Sequence, residues 1–324
     1  MGAELLNCLD KRCKKEWKVA FLSTFLMGLL IHIFRFVNVI PNHDSLLNFY
    51  SNQNMLGSGR WFLAVACCLS GFYDLPWIIG LISLVYMALT SVIVVDMFRI
   101  KNPILILLSG GMLVSFPAVV DTFYFQFTAD GFMLAMLLAA AGAALTRFDV
   151  RVGITAKTMA VRYLAGGILI TLACGIYQAY LSFALILAIC CFMLELLRGE
   201  RPLRDCLSWV WKQALLYIGV LGAYYLIWQV CMKIQGSVPT HYLGIDQVGV
   251  LSIMGIKAGL FDTLVSVIEF FLGADIWNGV VSLYTLLNVA FILMAVYATI
   301  VCCFRSGLLK DPGRLALLLL CIAA

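Results

Sequence analysis

The chain alternates long apolar runs with short basic clusters, and no other feature narrows its fold as much. A membrane crossing takes about 20 mostly apolar residues, or about 17 at the short end. Apolar runs lie near residues 19–38, 76–95, 103–120, 129–146, 163–176, 177–197, 213–231 and 276–304, and a further one begins at Leu315. Apolar residues make up 63% of the chain and charged ones 12%, whereas a soluble domain has about 45–50% and about 25%. That leaves too little polar surface for a water-facing fold. The sequence predicts an all-α, polytopic membrane helical bundle with about 8 complete spans plus the start of a ninth.

Orientation follows from where the cations fall. Lys11, Arg12, Lys14, Lys15 and Lys18 precede the first span, and Arg99 and Lys101 follow the second. Arg147, Arg151, Lys157 and Arg162 form a third cluster, Arg198, Arg201, Arg204 and Lys212 a fourth, and Arg305, Lys310 and Arg314 a fifth. With the N-terminus inside, all of these lie on the inner face, leaving Arg35, Arg60, Lys233 and Lys257 elsewhere among the 22 Lys and Arg. This is the positive-inside bias, and it predicts a multi-pass protein with a cytoplasmic N-terminus. It also accounts for the formal charge of +5 without a nucleic-acid partner.

Two apolar stretches are not counted as crossings. Residues 61–72 are too short before Tyr73-Asp74-Leu75-Pro76, and between Ser252 and Glu269 small or polar residues recur every three or four positions. That spacing draws a polar stripe suited to an interfacial helix. Residues 1–18 read as a basic cytoplasmic tail and 19–324 as one transmembrane domain, cut inside its ninth span. The 12 cysteines, several of them adjacent pairs such as Cys67-Cys68, read as small apolar packing residues. They show no zinc-ligand spacing.

The outer side is acidic, with Asp44, Asp74, Asp121, Asp130, Asp246, Asp262, Glu269 and Asp275. Asp44 or Ser45 is expected to cap an amphipathic interfacial helix reaching Tyr50, and Gly57-Ser58-Gly59 then turns the chain to present Arg60 beside Trp61. A second stretch runs from Asp121 through Tyr124 to Asp130, which opens a span. His32 and Arg35, one helical turn apart, face the bundle interior or a wet cavity, or Arg35 snorkels. His241, in Pro239-Thr240-His241-Tyr242, reads as a loop residue or a substrate contact. A transporter or lipid-linked glycan flippase is the rival class, but it would place charges at mid-membrane on several spans. Here the spans are nearly free of them.

The acid on an interfacial helix, Gly57-Ser58-Gly59-Arg60-Trp61, and Phe125-Gln126-Phe127-Thr128-Ala129-Asp130 together resemble the GtrII-like glucosyltransferases, multispan enzymes of the GT-C type. Gly175-Ile176-Tyr177-Gln178-Ala179-Tyr180-Leu181 adds to the resemblance. It implies transfer of a glucosyl unit from a polyprenyl-phosphate donor to a cell-envelope glycan such as O-antigen, at the outer face of a bacterial inner membrane. The partners implied are the lipid bilayer, the lipid-linked donor and the glycan acceptor, with no further cofactor. Asp44 is then the general base, and Asp130, also catalytic, orients the acceptor or stabilises positive charge developing at the sugar. Arg60 and Arg35 bind the donor phosphate, and His43, Tyr50, Asp121, Tyr124 and His241 contact substrate. His43 stands where family members often carry a second acid, so only one acid of a paired-carboxylate site for a divalent metal is present here.

Overall fold

The computed structural model describes residues 13–48, 55–71, 73, 75–148, 155–199, 201–240, 253–272 and 283–323. In chain order the helices are α1 (Lys15–Val37), α2 (His43–Asn48), α3 (Leu63–Ala66), α4 (Pro76–Phe98), α5 (Pro103–Ser115), α6 (Pro117–Thr122) and α7 (Gln126–Thr146). They continue with α8 (Ala156–Ile176), α9 (Tyr180–Arg198), α10 (Leu203–Gln235), α11 (Ile253–Leu272), α12 (Leu283–Arg305) and α13 (Pro312–Ala323). Among the described residues there is no strand. Among the described residues seven helices, α1, α4, α7, α8, α9, α10 and α12, are long and apolar enough to cross a bilayer. Their outward faces carry residues such as Leu30, Phe34 and Ile218, 75%, 68% and 67% exposed, as expected where lipid is the solvent. The chain separates into two compact units, Met1–Leu194 with Arg204–Thr240 and Glu195–Leu203 with His241–Ala324.

In the first unit, one end of the bundle is tied together at Asp96. Its carboxylate accepts from Lys14 Nζ at 2.7 Å and Trp17 Nε1 at 3.1 Å, and from Arg147 at 3.3 Å. The start of α1 and the ends of α4 and α7 therefore meet at one level. Arg162 Nε donates to the Leu145 carbonyl at 3.0 Å, while Trp209 and Gln213 donate to that of Thr146 at 3.1 and 2.6 Å. The starts of α8 and α10 thus join the same end, so the basic residues Lys14, Arg147 and Arg162 share one face of this unit.

The span expected over 103–120 is a broken pair. Phe116 is extended, φ −60° and ψ 131°, because the ring of Pro117 crowds a helical conformation at the residue before it. At 1.5 Å per residue, the 13 residues of α5 reach only about 20 Å. Ile106 packs with Ala20 and Val95 at the Asp96 end, and the Val114 carbonyl bonds to His32 Nε2 at 2.8 Å toward the other. The helix expected over 163–176 begins instead at Ala156, where the Thr155 hydroxyl accepts the Thr158 amide. Long cationic stems at Lys157 and Arg162 carry their charge to the interface, so the apolar count alone starts this helix too late.

Helix α7 is enclosed on nearly every side, with Ala129, Ala135, Ala139, Ala140 and Ala143 fully buried. It crosses α8 where Gly142 and Gly166 bring the backbones together. A Cβ added at Gly142 would lie 2.8 Å from the Gly166 carbonyl. Small residues permit the close approach on which helix packing in lipid depends.

In the second unit α11 packs against α12. Arg314 donates to the Gly199 carbonyl at 2.8 Å and to that of Arg201, and it pairs with Asp311 at 3.1 Å. Glu195 and Arg198 form an ion pair one turn apart.

Candidate functional site at the end opposite Asp96

The loop Met55–Trp61 is built around Gly59, whose φ of +82° is a left-handed conformation that glycine adopts without strain. Its amide donates to the Leu56 carbonyl at 3.0 Å, and that of Arg60 donates to Met55 at 3.1 Å. Four successive carbonyls of the loop accept from residues far along the chain. Leu56 accepts from Trp228 Nε1 at 2.8 Å and Gly57 from the Thr240 amide at 3.1 Å. Ser58 accepts from Gln178 Nε2 at 2.8 Å and Gly59 from the Tyr224 hydroxyl at 3.0 Å.

This scaffold sets Arg60 over aromatic faces. Its guanidinium carbon lies 4.8 Å from the centroid of the Tyr177 ring and 5.8 Å from that of Phe132, cation–π geometry in both cases. Tyr177 and Phe132 are themselves 5.2 Å apart. Next in sequence, Trp61 lies against Gly175, where an added Cβ would come within 2.6 Å of the indole, and the Phe62 amide donates to the Gly175 carbonyl at 2.8 Å. The arginine is thus half-buried in a wall of π-faces from α7 and the α8–α9 turn.

The same segment continues through α3 onto the first turns of α7. A Cβ at Gly131 would fall 2.6 Å from Cys67 Sγ, so Gly131 lets the segment seat directly on the helix. Beside it Asp130 is 1% exposed; its Oδ1 accepts the Gly131 amide at 3.0 Å, the side chains of Ser70 and Cys67 lie next to the carboxylate, and Oδ2 has no partner. Gln126, one turn earlier and also 1% exposed, has an unpartnered Nε2. A carboxylate oxygen and an amide nitrogen left unsatisfied on one buried helix face make a locally polar interior.

Arg35 Nε donates to the Phe123 carbonyl at 2.9 Å and its terminal nitrogen to that of Tyr124 at 2.9 Å, with the guanidinium 5.8 Å from the Tyr124 ring. The His32 ring stacks 4.4 Å from Phe123. Together they hold the segment that leads into Asp130. Asp121 and Tyr124 on that segment are exposed.

Helix α2 is capped by neither Asp44 nor Ser45. Asn42 Oδ1 accepts the Ser45 amide at 2.8 Å, the usual span from an N-cap to the third helical residue, and Asn42 is 2% exposed. Asp44, released from capping, sits 3.2 Å from His43 Nε2. Tyr50 and His241 lie outside the described residues, as do Asp74, Asp246 and Asp275. The remaining sequence-predicted residues fall into three groups: Arg60 with the aromatic wall, Arg35 and Tyr124 with the approach to Asp130, and His43 with Asp44.

Sequence reasoning gave no site role to Phe132, Tyr177, Gln178, Tyr224 or Trp228. Polar side chains within apolar runs, Gln178 and Tyr224 among them, carry a signal that would have found two of them. The fold is that of a polytopic membrane helical bundle, with Arg60 set against aromatic rings at one end. The family model for glucosyl transferase GtrII matches residues 33–324, and the chain belongs to that family of glucosyltransferases. No curated protein and no solved structure matches the chain.

Proposed function

We propose that the protein transfers a glucosyl unit from a polyprenyl-phosphate donor to a cell-envelope glycan, at the outer face of a bacterial inner membrane. The observation that carries this reading is Arg60, held by a fixed loop over Tyr177 and Phe132 at the end away from the basic clusters. A lipid-linked donor keeps its phosphate at headgroup depth while its chain stays in the bilayer. An arginine at that level gives the phosphate charge-assisted hydrogen bonds that strengthen as negative charge collects on the leaving group.

In this reading the bond between the anomeric carbon and the phosphate oxygen breaks, and the acceptor oxygen bonds to that carbon. Asp44 takes the acceptor hydroxyl's proton. Asp130 orients the acceptor or stabilises positive charge developing at the sugar. Arg35 acts through the main chain of Phe123 and Tyr124, which it fixes ahead of Asp130. Tyr124 offers a sugar-stacking face, and His43 and Asp121 contact substrate; for Tyr50 and His241 the same kinds of role rest on the sequence resemblance alone.

The test is transfer of radiolabelled glucose from polyprenyl-phosphate glucose to envelope glycan by membranes containing the protein. Label appearing in the glycan, dependent on the lipid-linked donor, is the expected result. Label taken up equally well from a soluble nucleotide sugar would overturn the donor assignment.

A further inference from the structure

We infer that Gln178 and Tyr224 are positioning residues for Arg60, a role that rests on the reading of Arg60 as the donor-phosphate contact. The amide of Gln178 spends both of its N–H groups here, one on the Ser58 carbonyl at 2.8 Å and one on the Tyr224 hydroxyl oxygen at 2.8 Å. The Tyr224 hydroxyl in turn donates a hydrogen bond to the Gly59 carbonyl at 3.0 Å. The three bonds form a closed chain with every donor used. It pins the two residues immediately before Arg60 from behind.

Space as well as bonding is filled. A Cβ at Gly59 would lie 2.3 Å from both Gln178 Nε2 and the Tyr224 hydroxyl, so loop and clamp are in contact with no room between them. Gln178 also follows Tyr177, the ring beneath the guanidinium. One short segment therefore supplies both the surface on which Arg60 lies and the bonds that fix its backbone. Tyr224 comes from the middle of α10, the helix whose Trp228 also holds the loop, at the Leu56 carbonyl.

The mechanism needs this because a phosphate-binding arginine lowers a barrier only when its N–H groups already point to where charge develops. A displacement of about 1 Å can lower a rate by up to about 100-fold. Releasing one of the three bonds leaves Arg60 chemically intact while freeing the two residues that aim it.

The experiment compares Tyr224→Phe, Gln178→Glu, Arg60→Gln and the double variant Arg60→Gln/Tyr224→Phe in the polyprenyl-phosphate glucose assay, with Tyr225→Phe as control. Tyr225 packs on Trp228 through its ring at 6.1 Å. Tyr224→Phe is expected to lower kcat about tenfold with the KM for acceptor unchanged, which fits loss of aim. Gln178→Glu keeps the side chain's size and removes both donors, so it should fall at least as far. Tyr225→Phe should match the wild type. In the Arg60→Gln background Tyr224→Phe should cause no further loss, since there is no guanidinium left to aim.

Wild-type turnover by Tyr224→Phe beside a strong loss in Arg60→Gln would overturn the positioning role alone. So would a full additional tenfold loss in the double variant. Wild-type turnover by Arg60→Gln would remove the phosphate reading and the inference with it. If Tyr224→Phe fails to accumulate in membranes, Gln178→Glu and its Arg60→Gln double variant give the same decision.

Discussion

Asn42 Oδ1 accepts the Ser45 amide at 2.8 Å, so the helix that carries Asp44 owes its start to another residue. Capping therefore falls to Asn42, and substitution can test the base role proposed for Asp44 apart from it.

Asp44→Asn is expected to leave protein yield and thermal midpoint unchanged while abolishing glucosyl transfer, because an amide does not take up a proton near neutral pH. Asn42→Ala is expected to do the reverse to stability, weakening the start of α2 by about 1 kcal/mol. Yield, melting in detergent and turnover measured on both variants check the pair. Near wild-type turnover by Asp44→Asn would exclude it as the base.

Replacement of Arg60 tests charge against shape. Arg60→Gln should raise the donor concentration needed for half-maximal transfer, and Arg60→Lys should recover part of the loss, since it keeps the charge without the planar fork. Titrations of polyprenyl-phosphate glucose at saturating acceptor read this directly. Identical donor dependence in wild type and Arg60→Gln would return the residue to a purely structural place on the aromatic wall.

The junction at Asp96 groups basic helix ends, and the positive-inside rule predicts that this end faces the cytoplasm. Single cysteines introduced at Asn48 and Thr155 in a cysteine-free background should therefore behave oppositely toward an impermeant maleimide. Position 48 should label in intact spheroplasts, and position 155 only after permeabilisation. Equal labelling of the two before permeabilisation would reverse the proposed orientation.

Gly166→Val should destabilise the α7–α8 crossing by about 1–3 kcal/mol, the usual effect of overfilling a packed contact. A Cβ there meets Thr146 Cγ2 at 2.6 Å and the Gly142 carbonyl at 3.0 Å. Gly219→Ala on α10 has no neighbour within 4 Å and should leave the midpoint unchanged or raised. Thermal unfolding of both variants in one detergent makes the comparison.

What the sequence disclosed was what hydropathy and charge encode along one dimension. The long spans and the basic bias are of that kind, and so are the glycines that flag Arg60. The break at Phe116 was written in Pro117, but a count of apolar residues reads straight through a proline. Asn42 as cap was hidden beside two equally suitable residues, Asp44 and Ser45, because side-chain type does not choose among three neighbours. Tyr224 lies 165 positions from Gly59, and nothing local to either residue announces the other. Such pairings arise only when helices close into a bundle.

The four carbonyls of Leu56 to Gly59 have a consequence for biosynthesis. Every distant donor that holds them, Gln178, Tyr224, Trp228 and Thr240, is made after the loop has left the ribosome. At roughly 5–20 residues per second, roughly 10–40 s separate the synthesis of Gly59 from that of Thr240. Through that interval α1, α4 and α7 enter the membrane with the Arg60 loop unlatched. The late helix α10 adds the bonds to Leu56 and Gly59, so a chain truncated before it keeps its anchoring spans and its arginine but lacks the Tyr224 and Trp228 hold on the loop.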